Sequence, residues 1–228
     1  MSSIAASSTA IHYPESDGRP MVETDAHYRE MTRLKFALEV FFEKNPAVYV
    51  GANLMMYYLE GDPTKCVSPD VFVAFGIAKG ERRTFKIWEE GKGPDVVFEL
   101  TSDSTRAEDL GFKRWLYGEL GVREFFVFDP LRQYLQPVLR GFRLTGNEFM
   151  SITAEPAASG ELRMRSAVLG LDLVVRGNEL WLLDARTGRW LLGPHETEEA
   201  RRQAEEAREA AEREVERLRA ELQRLRPE

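Results

Sequence analysis

Two acidic residues sit at the ends of apolar runs in this chain, and a lysine follows them. Asp70 immediately precedes Val71 to Phe75, while Glu99 lies near the end of Val96 to Leu100, a run that itself begins after Asp95. A buried carboxylate without a partner loses its hydration and is costly, so acids placed at the ends of core strands call for a compensating group. A metal ion is one such group. Mg²⁺ takes few protein oxygens and keeps several waters, so Asp70 and Glu99 together with a phosphate oxygen would make a reasonable site, with Mn²⁺ as an alternative ion. A lysine within reach could orient or deprotonate an attacking water, its pKa lowered by nearby cations, or steady the charge on a phosphate. Lys113 is the candidate. Asp109 lies four residues before it on the same helix face, so a plain salt bridge is an equal reading.

The elements that must hold these residues follow from periodicity. From Thr24 to Lys44, Met31, Leu34, Leu38, Phe41 and Phe42 recur at helical spacing; Thr24 or Asp25 can cap the start, and Asn45-Pro46 ends the pattern. An extended stretch then runs from Val48 through Asn53 to Leu59 and closes at Gly61-Asp62-Pro63. Val71 to Phe75 and Val96 to Leu100 read as buried strands. Leu110 to Leu120 returns to helical spacing, with Thr105 as cap and Gly121 as stop, and EFFVFDP is the next strand. Ser102 and Thr105 are expected to organise the loop between the Glu99 strand and Lys113. Asp95 is expected to serve as a turn residue and Asn53 to bond either its site neighbours or a buried backbone group. After Pro130 the pieces LDLVV, LWLLD and RWLL read as a small antiparallel extension of the same domain.

Composition sets the outer limits. With 228 residues, 43% of them hydrophobic, the chain supports one domain and an appendage rather than two full domains. Neither a membrane span nor a signal peptide is evident, which makes a cytoplasmic location the expectation. The lone cysteine, Cys66, has no second thiol to pair with and is expected to be chemically idle. A net charge of −7 argues against broad adhesion to nucleic acid without excluding a local basic groove, for which Arg82, Arg83, Lys86 and Lys92 are the candidates. The aromatic residues Tyr57, Tyr58, Trp88, Trp115 and Tyr117 could stack on bases or fill the core.

The termini read differently. Residues 1–19 are small and polar, a flexible arm. Residues 196–226 are rich in Ala, Glu, Arg and Leu. Their apolar positions Ala200, Ala204, Ala207, Ala211, Val215, Leu218, Leu222 and Leu225 follow steps of three and four with one stutter. This is a coiled-coil seam, expected to pair with a second copy through its last two heptads; a solvated helix braced by ion pairs is the rival reading.

The runs SPDVFVAFG and WEEGKGPDVVFELTSDSTRAEDLGFKRWLYGELGVREFFVFDP closely resemble the Uma-type restriction endonuclease family of the PD-(D/E)xK superfamily, over residues 20–192. The resemblance implies an α/β fold with a restriction-endonuclease-like mixed sheet flanked by helices, and a nuclease-like domain over residues 20–193. Asp70 then matches the family's metal-binding aspartate and Glu99 its second acidic ligand. The signature lysine, due two residues after Glu99, is replaced by Thr101, and Lys113 on the following helix is implied to supply the ammonium. Glu23 and His27, at the head of the first helix, match acidic and histidine positions of the family that could complete the site. The implied activity is Mg²⁺-dependent hydrolysis of DNA. The alternative is a nuclease fold without catalysis, acting as a binding or assembly protein through its C-terminal helix.

Overall fold

A computed structural model describes residues 11–16, 18, 24–156 and 161–225. The chain divides into two units, Met1–Leu191 and Leu192–Glu228. In the first unit the elements run α1 (Asp25–Phe41), β1 (Val48–Ala52), β2 (Met56–Tyr57), β3 (Cys66–Val67), β4 (Val71–Phe75), β5 (Phe85–Lys86), α2 (Ile87–Glu90) and β6 (Val96–Leu100). They continue through α3 (Arg106–Glu108), a π-helical turn (Asp109–Lys113), α4 (Arg114–Glu119), β7 (Glu124–Phe128), β8 (Leu139–Thr145) and β9 (Glu148–Ser151). The last strands of the unit are β10 (Glu155–Pro156), β11 (Leu162–Ser166), β12 (Leu171–Arg176), β13 (Glu179–Asp184) and β14 (Arg189–Leu191).

The central sheet has the order β1-β4-β6-β7-β8-β9. Only β6 and β7 are parallel, as their connection through α3, the π turn and α4 requires. Both faces of this sheet are covered at its centre, so the middle strands β4, β6 and β7 are dominated by apolar residues. Val71, Val73, Phe98 and Phe126 face α1 and the second sheet, whereas Phe72, Val97, Phe125 and Val127 face α4 and the short strands. Strand Val96–Leu100 is buried along its whole length, yet the fourth position on it is Glu99.

The second sheet, β10-β11-β12-β13-β14, is antiparallel throughout and includes the three segments expected to form an extension. It shares a core with α1 through Leu171, Leu173, Leu180 and Leu182. A buried ion pair also joins α1 to it: Glu30 and Arg33 are 2.6 Å apart, the Glu30 carboxylate accepts from the Leu180 amide at 2.7 Å, and Arg33 donates to the Leu180 carbonyl. Both backbone groups of Leu180 are thereby satisfied where the short β14 does not reach. Strands β8 and β9, in contrast, extend the central sheet.

Three expectations need correction. The stretch from Val48 to Leu59 is not one strand: the chain turns at Asn53, whose φ of 46° lies in the left-handed region, and β2 joins a separate three-stranded sheet, β3-β2-β5. The reading of residues 1–19 as a loose arm fails for Tyr13 and Pro14. Tyr13 packs on Tyr57 and Trp88 with ring centroids 5.0 and 5.2 Å apart, and the Tyr57 hydroxyl donates to the Pro14 carbonyl. Thr105 precedes its helix, but its hydroxyl accepts from the Ser102 amide at 3.0 Å instead of capping a helical amide. Thr24 does cap α1, accepting from the His27 amide. Gly121, with φ 74°, ends α4, and the Val122 amide closes back on Tyr117 as in a Schellman turn.

A glycine is required at position 51 by the sheet itself. Gly51 pairs across β1 and β4 with Phe72, and a Cβ there would lie 2.3 Å from the Phe72 ring. Gly51→Ala is expected to lower stability by about 1–3 kcal/mol through overpacking, read as an earlier urea midpoint with an unchanged slope.

Candidate active site

Strand register brings the two acids together. Val71 pairs with Phe98, so one further step of the antiparallel ladder sets Asp70 opposite Glu99. One Asp70 oxygen accepts from the Leu100 amide at 2.6 Å, which holds the carboxylate against the end of β6. The other oxygen is 3.1 Å from Nε2 of His27. Thr24, by starting α1 where it does, places His27 in that first turn.

Glu99 alternates with Val97 and therefore faces the helical side of the sheet. There the π turn and α4 present three partners. Lys113 Nζ lies 3.0 Å from Oε2 of Glu99 and 2.9 Å from Asp109, while the Tyr117 hydroxyl donates to Oε1 of Glu99 at 2.5 Å. All four of these side chains are buried. Lys113 and Tyr117 are one α-turn apart, so both reach the same carboxylate.

Burial pushes the Glu99 carboxyl well above the usual carboxylate range. The Lys113 ammonium opposes that rise, and the charges of Asp70 and Asp109 add to it. For Lys113, burial pulls the other way but is outweighed by Glu99, then Asp109 and Asp70, which hold the ammonium above its ordinary value. Its neighbours are carboxylates, so it stays charged and can serve as an electrostatic partner. Burial and then Glu99 raise the Tyr117 phenol, which keeps it a donor.

Asp70, Glu99 and Lys113 open onto one cleft of about 810 Å³, also lined by His27, Asn53, Thr101, Ser102 and Thr105. The two carboxylates fit a hard divalent ion. Each of their oxygens is engaged once and has a second lone pair, and Mg²⁺ needs only one or two carboxylates beside water and substrate. Among the described residues there is no group of three or more His, Cys, Asp or Glu arranged to hold a metal by themselves. Thr101 Oγ1 is a further oxygen of this region, buried and without a hydrogen-bond partner among the described residues.

Other candidates separate from the cluster. Asp95 sits at the opposite end of β6, accepting from the Phe75 amide at 2.8 Å and pairing with Lys92 at 2.6 Å, which is a structural role. Glu23 lies outside the described residues. The suggested basic patch is neutralised locally: Arg82 pairs with Glu90, Arg83 with Glu15, Lys86 with Glu89 and Lys92 with Asp95. Of the aromatic residues, Tyr57 and Tyr117 are core, and Trp115 is exposed. Tyr117 as a partner of Glu99 is the residue that sequence reasoning missed. Its four-residue spacing from Lys113 was the available signal.

Residues 5–169 match a family model described as "Uma2: Putative restriction endonuclease". No curated protein matches the chain. Among solved structures it is similar to a crystal structure titled as a putative nuclease belonging to DUF820 from Anabaena variabilis ATCC 29413. The identity is 15% and the TM-score 0.44, over 60% of this chain and 74% of that one.

Removing Lys113 leaves Glu99 buried without its cation. Lys113→Met is expected to cost about 3–5 kcal/mol in urea unfolding. The sign with pH follows from the raised carboxyl: a Glu99 that prefers its proton in the fold favours folding fully at low pH and loses that contribution as pH rises through the raised value. The deficit of Lys113→Met should therefore be larger at pH 8 than at pH 5, and Glu99→Gln in the same chain should recover much of it.

Proposed function

The chain belongs to the Uma2 restriction-endonuclease family, and from that premise we propose that it is a Mg²⁺-dependent endonuclease hydrolysing phosphodiester bonds of DNA. The observation that carries this reading is the convergence of Asp70 and Glu99, from adjacent strands, with the Lys113 ammonium at one cleft. Asp70 and Glu99 would hold the cation, with Mn²⁺ able to substitute. When bound, such an ion polarises the phosphoryl oxygen and makes water a better nucleophile. Lys113, kept charged by its acidic neighbours, steadies the negative charge that grows on the phosphate. Tyr117 and Asp109 hold Glu99 and Lys113 in place, and the Leu100 amide holds Asp70. In the reaction the water oxygen forms the new bond to phosphorus and the bridging P–O bond breaks. The water gives up a proton to solvent, and the leaving oxygen gains one.

A second reading rests on the same contacts. Every oxygen of Asp70 and Glu99 already has a partner, which also suits a metal-free structural cluster in a binding or assembly protein. Cleavage of supercoiled plasmid with Mg²⁺, Mn²⁺ or EDTA decides between them. The nuclease reading expects metal-dependent nicking that falls by about 100-fold or more in Asp70→Asn, Glu99→Gln and Lys113→Met. A folded protein that nicks no DNA under any of these conditions would establish the structural cluster instead.

The second unit carries the helix α5 (Pro194–Leu225), exposed from Thr197 to Arg224. Val215 and Leu218 are each 46% exposed and Leu222 65%, on the seam read from the sequence. We read this helix as the means by which two copies pair, which would set two cleavage sites in one assembly. Ion pairs such as Arg201–Glu198 and Arg217–Glu214 brace the helix by itself, as the rival reading requires. Sedimentation should report a dimer for the full chain and a monomer for Leu218→Asp/Leu222→Asp; a monomeric parent chain would leave α5 a solvated helix.

A further inference from the structure

Three arginines stand uncommitted at the rim of the cleft. Arg29 on α1, Arg106 at the start of α3 and Arg132 in the loop after β7 are exposed, and none has an ion pair among the described residues. That sets them apart from Arg82, Arg83, Lys86 and Lys92, each of which a carboxylate neutralises. Arg106 donates to the Tyr134 carbonyl at 3.2 Å, and Tyr134 belongs to the cleft wall. Arg132 lies between Leu131 and Tyr134, both of which line the cleft. A second hollow of about 460 Å³ shares Pro130 and Leu131 with the cleft, so the two adjoin over that loop, and Arg29 lines it.

The loop that carries Arg132 is fixed from beneath. Asp129 is fully buried, and its carboxylate accepts from the amides of Leu131, Tyr134 and Leu135. Arg132 has φ 57°, in the left-handed region that glycine enters without strain and a side chain disfavours. An arginine is therefore held there against its backbone preference, and strain of this kind beside a cleft points to use of the side chain. The nearby acids do not cancel the three charges. Besides Asp70 and Glu99, the acids lining the two hollows are Glu15, Asp103, Glu30 and Glu179. Glu15 pairs with Arg83, Glu30 with Arg33, and Glu179 accepts from the Trp181 indole at 3.0 Å, which leaves Asp103.

We infer that Arg29, Arg106 and Arg132 bind the phosphate backbone of the DNA substrate beside the phosphate held at Asp70 and Glu99. This rests on the nuclease reading. A strand cut internally continues beyond the cleft in both directions, so its neighbouring phosphates pass over the rim. A guanidinium is a planar fork that meets two phosphate oxygens at once and keeps its charge at any working pH. Contacts of this sort fix the register of the strand and carry no sequence information.

Fluorescence anisotropy of the full chain with a labelled DNA duplex of about 20 bp, from about 50 to 200 mM salt, tests this in EDTA and with Ca²⁺ in place of Mg²⁺. Each phosphate contact contributes about 0.9 to the slope of log affinity against log salt. Arg29→Gln/Arg106→Gln/Arg132→Gln should bind more weakly, with a slope shallower by about 2 to 3. Arg132→Gly alone should lose about 1 from the slope and melt at or above the parent, which separates the lost charge from damage to the fold. Lys44→Gln/Arg189→Gln removes two exposed cations that line neither hollow and should leave the slope unchanged. An unchanged slope in the triple variant overturns the proposal, and the nuclease reading survives if the parent nicks plasmid. An equal loss in the Lys44/Arg189 variant also overturns it, because any surface charge would then serve. The expected slopes in a chain that nicks no DNA keep the arginine surface and refute the nuclease reading alone.

Discussion

A carboxylate inside a sheet covered on both faces is the constraint on which the site depends. Glu99 occupies the fourth position of a strand whose other residues are all apolar, and it is fully buried. In that setting an ionised carboxyl needs both a cation and a hydrogen-bond donor. Lys113 supplies the first and Tyr117 the second, and both come from the segment that connects β6 to β7. The parallel pairing of those strands forces the connection to cross back over the sheet, so the topology itself delivers the helix to the acid. The π turn at Asp109–Lys113 lies at this point, and turns of that kind are frequent at functional sites.

The same logic of buried charge anchors the opposite face. Helix α1 fills the space between the central sheet and the second sheet, and Glu30 and Arg33 serve the backbone of Leu180. Burial raises the Glu30 carboxyl, and Arg33 opposes it. This anchoring fixes the rotation of α1, which sets His27 against Asp70. A pin one to two turns along the helix from His27 thus supports the geometry of the cleft.

Exposed charge behaves otherwise. The ion pairs along α5 and those of Arg83 and Lys86 are solvent-facing, where such pairs contribute at most about 1 kcal/mol each. Their main consequence is to neutralise cations that would otherwise serve a phosphate backbone. Among the described residues that line the cleft, Lys113 is the one lysine or arginine, set among carboxylates, and its charge is held by buried neighbours and is screened less by salt.

Much of this was legible in the sequence by itself. Strong apolar runs and turn residues gave β4 and β6 at their observed bounds and β7 at its observed start, Thr24 or Asp25 marked the start of α1, and acids at strand ends singled out Asp70 and Glu99 with Lys113 as their lysine. These signals are local, carried by period, caps and composition. Only the tertiary structure decided the rest. It broke the Val48–Leu59 stretch at Asn53, joined β8 and β9 to the central sheet, and paired each candidate basic-patch cation with an acid. It also recruited Tyr117 to Glu99 and set Lys113 between the carboxylates of Glu99 and Asp109. The reason is that a pKa and a hydrogen-bond partner depend on what lies within a few ångströms in space. Sequence spacing gives the face a residue occupies, whereas register and packing choose which other face it meets.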